Sequence, residues 1–295
     1  MLLSILIPAY NFPKGVSRIL SQIFPLDTQR FEVLVLDDST SNHVYDVCIS
    51  YLNNGLMLKY YRNTPPLGAV NNWNKLLSIA RGKYCLIMHH DDCPIQKDFI
   101  SLIEKTLDSS TTYDVFVMGH AVINRNLNIV YGSISNTMRS FFSSKFPEYI
   151  IRRNYLGSMS TLVVKRSAYP LYCVDLCYLV DCELFHRLLT SNLSFCYLNN
   201  LTILTVIGEH QSITQFLAPN ISNIIKRERS LIFSNNKLSE IWFNNKALIS
   251  FEKLLWIFIF LIPKILMVIG FKFGIWPFNS SIRKRLVKYY DRSEF

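Results

Sequence analysis

Apolar residues fall in short unbroken runs through the first third of the chain, with longer mixed segments between them. Leu2–Ile7 reads Leu-Leu-Ser-Ile-Leu-Ile and is stopped by Pro8. Phe31–Leu36, Met57–Tyr61 and Tyr84–Met88 repeat the pattern. Runs of this length between turn residues predict strands buried on both faces. Val16–Phe24, Val44–Leu52 and Val70–Ala80 carry apolar residues at helical spacing, the last ended by Gly82. Strand–helix alternation at this pitch predicts an α/β fold with a mixed, mostly parallel sheet flanked by helices.

Beyond residue 110 the pattern changes. Asp114–Met118 and Ala121–Ile123 read as two strands, and Asn126-Leu127-Asn128 as a hairpin turn. A helix is expected near Glu148–Asn154, a strand at Thr161–Val164 and a helix at Asp181–Leu189. Phe195–Leu198 and Leu201–Val206 read as a late strand pair. The boundary expected from this pass divides 1–215, an α/β domain, from 216–295, a helical C-terminal extension that is hydrophobic and basic.

Within that extension Leu254–Ile269 is almost wholly apolar, broken by Pro263 and Lys264. A spanning helix needs about 20 apolar residues. With Phe271, Phe273, Ile275 and Trp276 the stretch reaches that length, but it then carries two lysines. An interfacial or re-entrant segment is the preferred reading over a full span or a buried helix.

Charge sharpens this picture. The 295 residues carry a net charge of +10, with 50% hydrophobic and 18% charged residues. Such a surplus favours a polyanion or an anionic membrane surface. Zinc-finger spacing, a heptad-plus-basic region and an RNA-binding aromatic signature are all missing, so nucleic acid is not the expected partner. The densest basic cluster, Arg283, Lys284, Arg285, Lys288 and Arg292, follows the greasiest segment. It suits the anionic cytoplasmic leaflet of a membrane, with the protein peripheral or monotopic. Seven cysteines without a Cys-x-x-Cys pair read as free thiols, and Cys173, Cys177 and Cys182 are too loosely spaced for a convincing zinc site.

Candidate chemistry sits at the strand ends. Asp37-Asp38 closes the second apolar run, and His89-His90-Asp91-Asp92 closes the fourth. In open α/β sheets, ligands bind beyond the carboxyl ends of the strands. Clustered acids there are repulsive unless they hold a cation, a ribose or a proton. Asp37-Asp38 alone is equally consistent with ribose binding and with capping the next helix. Asp91-Asp92 is a natural seat for a divalent metal and a diphosphate, and His89 and His90 could ligate or contact phosphate. The loop Leu67–Asn74 opens a helix with backbone and amide N–H groups on offer.

In order, the segments Ile5-Leu6-Ile7-Pro8-Ala9-Tyr10-Asn11, Val35-Leu36-Asp37-Asp38-Ser39, Asn63 with Gly68, Asn72 and Asn74, Ala80-Arg81-Gly82-Lys83-Tyr84 and His89-His90-Asp91-Asp92 resemble family 2 glycosyltransferases of the GT-A fold. The resemblance covers the first 100 residues and, more loosely, 155–215. It implies a nucleotide-sugar donor, UDP by default. Pro8, Ala9 and Tyr10 would lie under the base, with Tyr10 stacking on it, Asn11 would belong to the nucleotide-sugar site, and Asp38 would hold the uracil or ribose. Asn63, Gly68, Asn72 and Asn74 would belong to the same nucleotide-sugar site. Asp91 would be the last acid of the family's metal motif, and His89 stands where its first acid usually sits. Mn2+ or Mg2+ is the implied cofactor, with His89, Asp91 and His210 as candidate ligands. Asp181, in Val180-Asp181-Cys182-Glu183, would be the general base of an inverting transfer, with Glu183 the competitor. Gly157-Ser158-Met159-Ser160 would face the acceptor or donor sugar. The tail and the resemblance together imply a lipid-linked oligosaccharide acceptor in O-antigen or capsule assembly. The rivals are a nucleotidyltransferase, whose Gly-rich triphosphate loop is missing, and a degenerate scaffold, which only the His89 departure supports.

Overall fold

The computed structural model describes residues 1–24, 30–55, 58–124, 129–132, 134–208 and 216–236. The chain forms two compact units, Met1–Ile225 and Lys226–Phe295. The second lies outside the described residues beyond Asn236, so Leu254–Ile269, the apolar segment to Trp276 and the basic cluster lie there too. Among the described residues, no helix is long and apolar enough to cross a membrane.

The first unit begins as a regular alternation. It runs β1 (Leu3–Ala9), α1 (Pro13–Ile23), β2 (Phe31–Asp37), α2 (His43–Asn53), β3 (Leu58–Arg62), α3 (Ala69–Ile79) and β4 (Tyr84–Ile87). These strands lie side by side in the order β3-β2-β1-β4, all parallel. Every residue of β1, β2 and β4 is buried, because helices cover both faces. Pro8 does not stop β1, which continues to Ala9. The β1–β4 pairing ends at Leu6–Ile87, so the N–H that proline lacks falls beyond the ladder on that side.

The remaining strands make the sheet evenly mixed rather than mostly parallel. They are β5 (Asp92–Pro94), β6 (Val115–Asn124), β7 (Ile129–Gly132), β8 (Leu162–Lys165) and β9 (Phe195–Ile207). The order continues β4-β8-β6-β9-β5, with β7 paired to β6. Only β6–β9 is parallel among these new pairings. The β6–β7 pair is antiparallel, and the Asn126–Asn128 turn between them lies outside the described residues.

Two expected strand pairs prove to be single strands. β6 is continuous through Met118–His120, and β9 is continuous through Asn199-Asn200. Between the paired positions Val117–Tyr197 and Gly119–Thr202, β6 advances two residues while β9 advances five. This bulge absorbs the break in apolar pattern without ending either strand. The helix expected near Glu148–Asn154 is a short 3-10 turn, Pro147–Ile151. Asn154 leaves it to hold its own turn, accepting from the N–H groups of Leu156 and Gly157 and donating to the Gly157 carbonyl. The helices of this half are α4 (Phe99–Ser109), α5 (Asn136–Lys145), α6 (Val180–Thr190) and α7 (Ile221–Asn236).

The chain leaves β1 for β2 and β3 on one side, then returns to β4 on the other. That reversal opens a crevice beyond the strand ends. The ends of β1, β2, β3 and β4 bring Tyr10-Asn11, Asp37-Asp38, Asn63 and His89–Asp92 to the same edge.

Candidate active site

One half of the crevice is a buried hydrogen-bond network. Asp37 is spent on structure: one oxygen accepts from the Ser39 N–H at 2.9 Å, the other from the Tyr60 hydroxyl at 2.7 Å. Asp38 is buried and faces the loop 63–68. It accepts from Asn63 Nδ2 at 2.7 Å, from the Leu67 N–H at 3.0 and 3.1 Å, and from the Gly68 N–H at 2.7 Å. Gly68 can present its N–H this way because its φ is +80°. Asn63 also donates to Asn72 Oδ1 at 3.1 Å and accepts from Lys75 Nζ at 2.7 Å. Asn72 donates in turn to the Leu36 carbonyl at 3.1 Å. Asp38, Asn63, Gly68 and Asn72 thus form one unit that clamps the loop over the ends of β2 and β3.

Pro8 and Ala9 are buried strand residues beneath the crevice, and Tyr10 is the first exposed side chain after them. Asn11, at φ +47°, ties the ends of β1 and β2 together. Its N–H donates to Ser39 Oγ at 2.7 Å, and its Oδ1 accepts from the Thr40 N–H at 3.1 Å. Asn74 differs from the expectation for it. Its amide donates to the Tyr172 carbonyl at 3.0 Å and accepts from the Tyr172 N–H at 2.7 Å. It therefore braces the segment before α6 and has its side chain turned to that segment.

The other half is the turn His89–Asp92, closed by the Asp92 N–H on the His89 carbonyl at 2.9 Å. Helix α1 packs directly on this turn. A Cβ on Gly15 would fall 1.9 Å from the His90 carbonyl oxygen, so only glycine allows that approach. Ligand atoms from His89, Asp91 and Asp92 all lie within 4.8 Å of one another, and no other such group occurs among the described residues. Asp92 is buried; one of its oxygens accepts from the Thr205 hydroxyl, and Oδ2 has no hydrogen-bond partner. His89 Nε2 is likewise buried without a partner. Its ring stacks on Trp73 at 4.8 Å, and Trp73 meets Tyr172 edge-on at 5.2 Å.

Buried orphan donors and acceptors are costly unless something absent from the chain satisfies them. Two carboxylates and an imidazole converging, with Asp92 Oδ2 and His89 Nε2 unfilled, fit a divalent cation with open positions for substrate oxygens. Electrostatics agree. Burial raises the Asp92 carboxyl, and neighbouring Asp91 raises it further, against the lowering effect of His89 and of hydrogen bonds from Ser160 and Thr205.

Behind Asp92 lies a second layer. Thr205 donates its only hydroxyl proton to Asp92, so the 2.8 Å contact to His120 Nε2 has the imidazole as donor. Burial, with Arg139 nearby, holds His120 down at about 4 against a small opposing effect of Asp91, so it is neutral near pH 7. Ser160 Oγ accepts from the His89 N–H at 2.9 Å. Ser160 thus braces the turn 89–92 from the segment Gly157–Ser160; Met159 and Ser160 are buried, and Gly157 packs on His120.

Asp181 lies in the first turn of α6. Burial pushes its carboxyl up to about 6; His89 pulls it down and Asp91 adds to the rise. Both acid ends of the expected machinery therefore feel one another. The competing Glu183 is committed elsewhere, with its two oxygens on Arg187 at 2.6 and 2.7 Å. His210 lies outside the described residues. The seven cysteines form no disulfide among the described residues, and Cys177 is exposed.

Asp92 is half of the acid pair that the sequence offers as a metal seat, whereas Thr205, His120, Trp73 and Tyr172 are not singled out there. Trp73 lies within the loop and helix start at Leu67–Asn74, and that adjacency is its available signal. Thr205 and His120 are brought in by β9 and β6, which pair with β5 and with each other only in three dimensions.

Comparison with known proteins fits this geometry. The family model "Glycosyl transferase family 2" matches residues 4–169. Abequosyltransferase RfbV of Salmonella typhimurium is 26% identical over 200 residues, covering 61% of this chain and 57% of that protein. An uncharacterised Mycobacterium tuberculosis protein is 36% identical over 91 residues, covering 31% of this chain and 28% of that one. The chain thus matches little more than half the length of these relatives at most. Among solved structures, S. aureus TarS 1–349 in complex with UDP-GlcNAc superposes with a TM-score of 0.56 at 18% identity, covering 72% of this chain and 61% of that one. The mannosyltransferase PcManGT from Pyrobaculum calidifontis, in complex with GDP-Man and Mn2+, gives 0.52 at 15% identity, covering 77% and 68%. The fold is the GT-A arrangement, a mixed α/β sheet flanked by helices. The chain belongs to glycosyl transferase family 2.

Proposed function

We propose that the protein transfers a sugar, with inversion, from a nucleoside diphosphate sugar to a saccharide hydroxyl. The observation that carries the reading is the convergence of His89, Asp91 and Asp92, with His89 Nε2 and Asp92 Oδ2 buried and unpartnered, in a field that Asp181 shares. Tyr10 stacks on the base, and the Asp38 loop holds the nucleoside above β1 and β2. Asp181 accepts the proton of the acceptor hydroxyl as that oxygen attacks the anomeric carbon. The bond from that carbon to the diphosphate breaks, and the nucleoside diphosphate leaves. A carboxyl near 6 is ionised at neutral pH yet basic enough for this task. A bound Mn2+ or Mg2+ supplies positive charge to the leaving diphosphate. His89, Asp91 and Asp92 would hold it, with His210 a further candidate.

The acceptor in this reading is a lipid-linked oligosaccharide at the cytoplasmic membrane face, in the assembly of a surface polysaccharide. Its supports are the apolar stretch to Trp276, the basic cluster after it, and the likeness to an abequosyltransferase. UDP is the default nucleotide by resemblance.

The test is nucleoside diphosphate release from UDP-, dTDP- and GDP-sugars, with Mn2+ and a lipid-linked glycan fraction. Asp181→Asn is expected to lower turnover about 10²–10⁴-fold, the usual worth of a positioned base, with nucleotide affinity unchanged. Full turnover in that variant would remove Asp181 from the mechanism. The configuration of the product, read by NMR, tests inversion separately.

A further inference from the structure

The position usually held by the first acid of the metal motif is here a histidine, and its surroundings are built for that histidine. The ring lies on the indole of Trp73 at 4.8 Å, with 29° between the planes. Trp73 is itself buried and is held edge-on by Tyr172. Tyr172 is pinned through its main chain by both atoms of the Asn74 amide, and its hydroxyl meets that of Tyr169 at 2.9 Å. The His89 main chain is fixed by Ser160. The imidazole is therefore a preset group whose buried Nε2 finds no partner in the chain. Beside it Asp92 has one oxygen held by Thr205 and one buried and unpartnered.

We propose that His89 is a nitrogen ligand that sets the preference of this site for Mn2+ and the later first-row cations over Mg2+, with Trp73 as the residue that positions it. The inference rests on the metal-dependent reading above. Mg2+ is a hard cation that demands oxygen ligands in near-octahedral geometry and dehydrates reluctantly. Imidazole suits the later divalent metals, whose affinity for a nitrogen-containing site rises from Mn2+ onwards. A neutral imidazole in place of a carboxylate also removes one negative charge from the protein ligands. That change costs a hard cation most, because its binding follows ligand charge. Two carboxylates remain, so Mn2+ keeps oxygen ligands as well. The stack on Trp73 fixes the ring plane, so the nitrogen is presented without loss of side-chain freedom on binding.

Direct metal binding to the full chain tests this without turnover. Mn2+ binding is followed by electron paramagnetic resonance, and Mg2+ and Co2+ by competition, with and without UDP. The wild-type Mn2+ signal is expected to carry a nitrogen hyperfine coupling that vanishes in His89→Asp. The Mn2+-to-Mg2+ affinity ratio is expected to fall about tenfold in that variant, through a gain for Mg2+. Trp73→Leu is expected to weaken Mn2+ about tenfold or more, the usual cost of losing a group that orients a ligand, while the nitrogen coupling survives. Bound Mn2+ without nitrogen coupling, or an unchanged ratio in His89→Asp, would overturn the proposal and leave metal dependence standing. The absence of any Mn2+ binding, or binding that Asp91→Asn does not weaken, would overturn both.

Discussion

Replacing Asp181 by Asn should stabilise the metal-free protein even though it lowers the turnover proposed for it. In the fold, burial and Asp91 together lift this carboxyl from its ordinary 3.8 to about 6, against the pull of His89. A raised carboxyl means that the folded state holds the proton more tightly than the unfolded chain. Between pH 4 and 6 the native state binds more protons, so stability falls as pH rises through that window. Above pH 6 the cost of keeping the ionised group is fully felt. A rise of this size is worth up to about 3 kcal/mol. For a chain of this size that corresponds to roughly 6–12 °C in Tm. An amide carries no charge and escapes the cost. Thermal unfolding of both proteins in chelator, from pH 4 to pH 8, reads the effect. The two curves should meet near pH 4 and separate by pH 7, with Asp181→Asn the more stable. Added Mn2+ should narrow the gap, since a nearby cation favours the ionised carboxylate. A difference that does not vary with pH, or an Asn variant less stable at pH 8, would refute the reasoning.

Other outcomes follow from the same contacts. Gly15→Ala puts a methyl 1.9 Å from the His90 carbonyl, so α1 must move off the turn 89–92; a loss of about 1–3 kcal/mol in urea unfolding and weakened nucleotide binding are expected. Asp38→Ala strands the N–H groups of Leu67 and Gly68 and the Asn63 amide, and should cost about 3 kcal/mol. Hydrogen exchange at Leu67 and Gly68 would report the freed loop, and unchanged protection there would contradict the clamp. Thr205→Val cuts the link from His120 to Asp92; Mn2+ affinity should fall about 10–100-fold, and stability should fall by about 1–3 kcal/mol because buried Asp92 and His120 lose a partner.

The first half of the fold was legible because its strands are buried on both faces. Such strands write themselves as unbroken apolar runs, and Phe31–Leu36 and Tyr84–Met88 fall within a residue of β2 and β4. The second half obeys a different logic. Asn199-Asn200 interrupts the apolar pattern, yet β9 passes through it because the bulge against β6 leaves that stretch unpaired. Helix α4 buries Phe99, Ile103 and Leu107, a four-residue spacing that was present in the sequence and was not read. Helix α5 carries few apolar residues and owes its start to the Ser135 cap, a weaker signal.

The site divides the same way. Asp38, Asn63, Gly68 and Asn72 stand at strand ends and loop turns, where ligand chemistry is expected, and they do form one network. Asn74 shares their spacing, but its place on α3 turns its amide to Tyr172. His120 and Thr205 are separated from Asp92 by 28 and 113 residues of chain, and only the pairing of β6, β9 and β5 brings them together. No local pattern encodes that meeting. Asp181 and Glu183 are told apart by a local signal, the i,i+4 spacing that lets Arg187 occupy Glu183.

The most direct test of the account is calorimetric titration of UDP, dTDP and GDP into the purified protein, each with and without Mn2+, repeated on Asp91→Ala. The account predicts that one nucleoside diphosphate binds, that Mn2+ strengthens it, and that Asp91→Ala abolishes the Mn2+ effect. Failure of all three nucleotides to bind, or binding indifferent to both Mn2+ and Asp91, would contradict a nucleotide-sugar site at the ends of β1, β2 and β4.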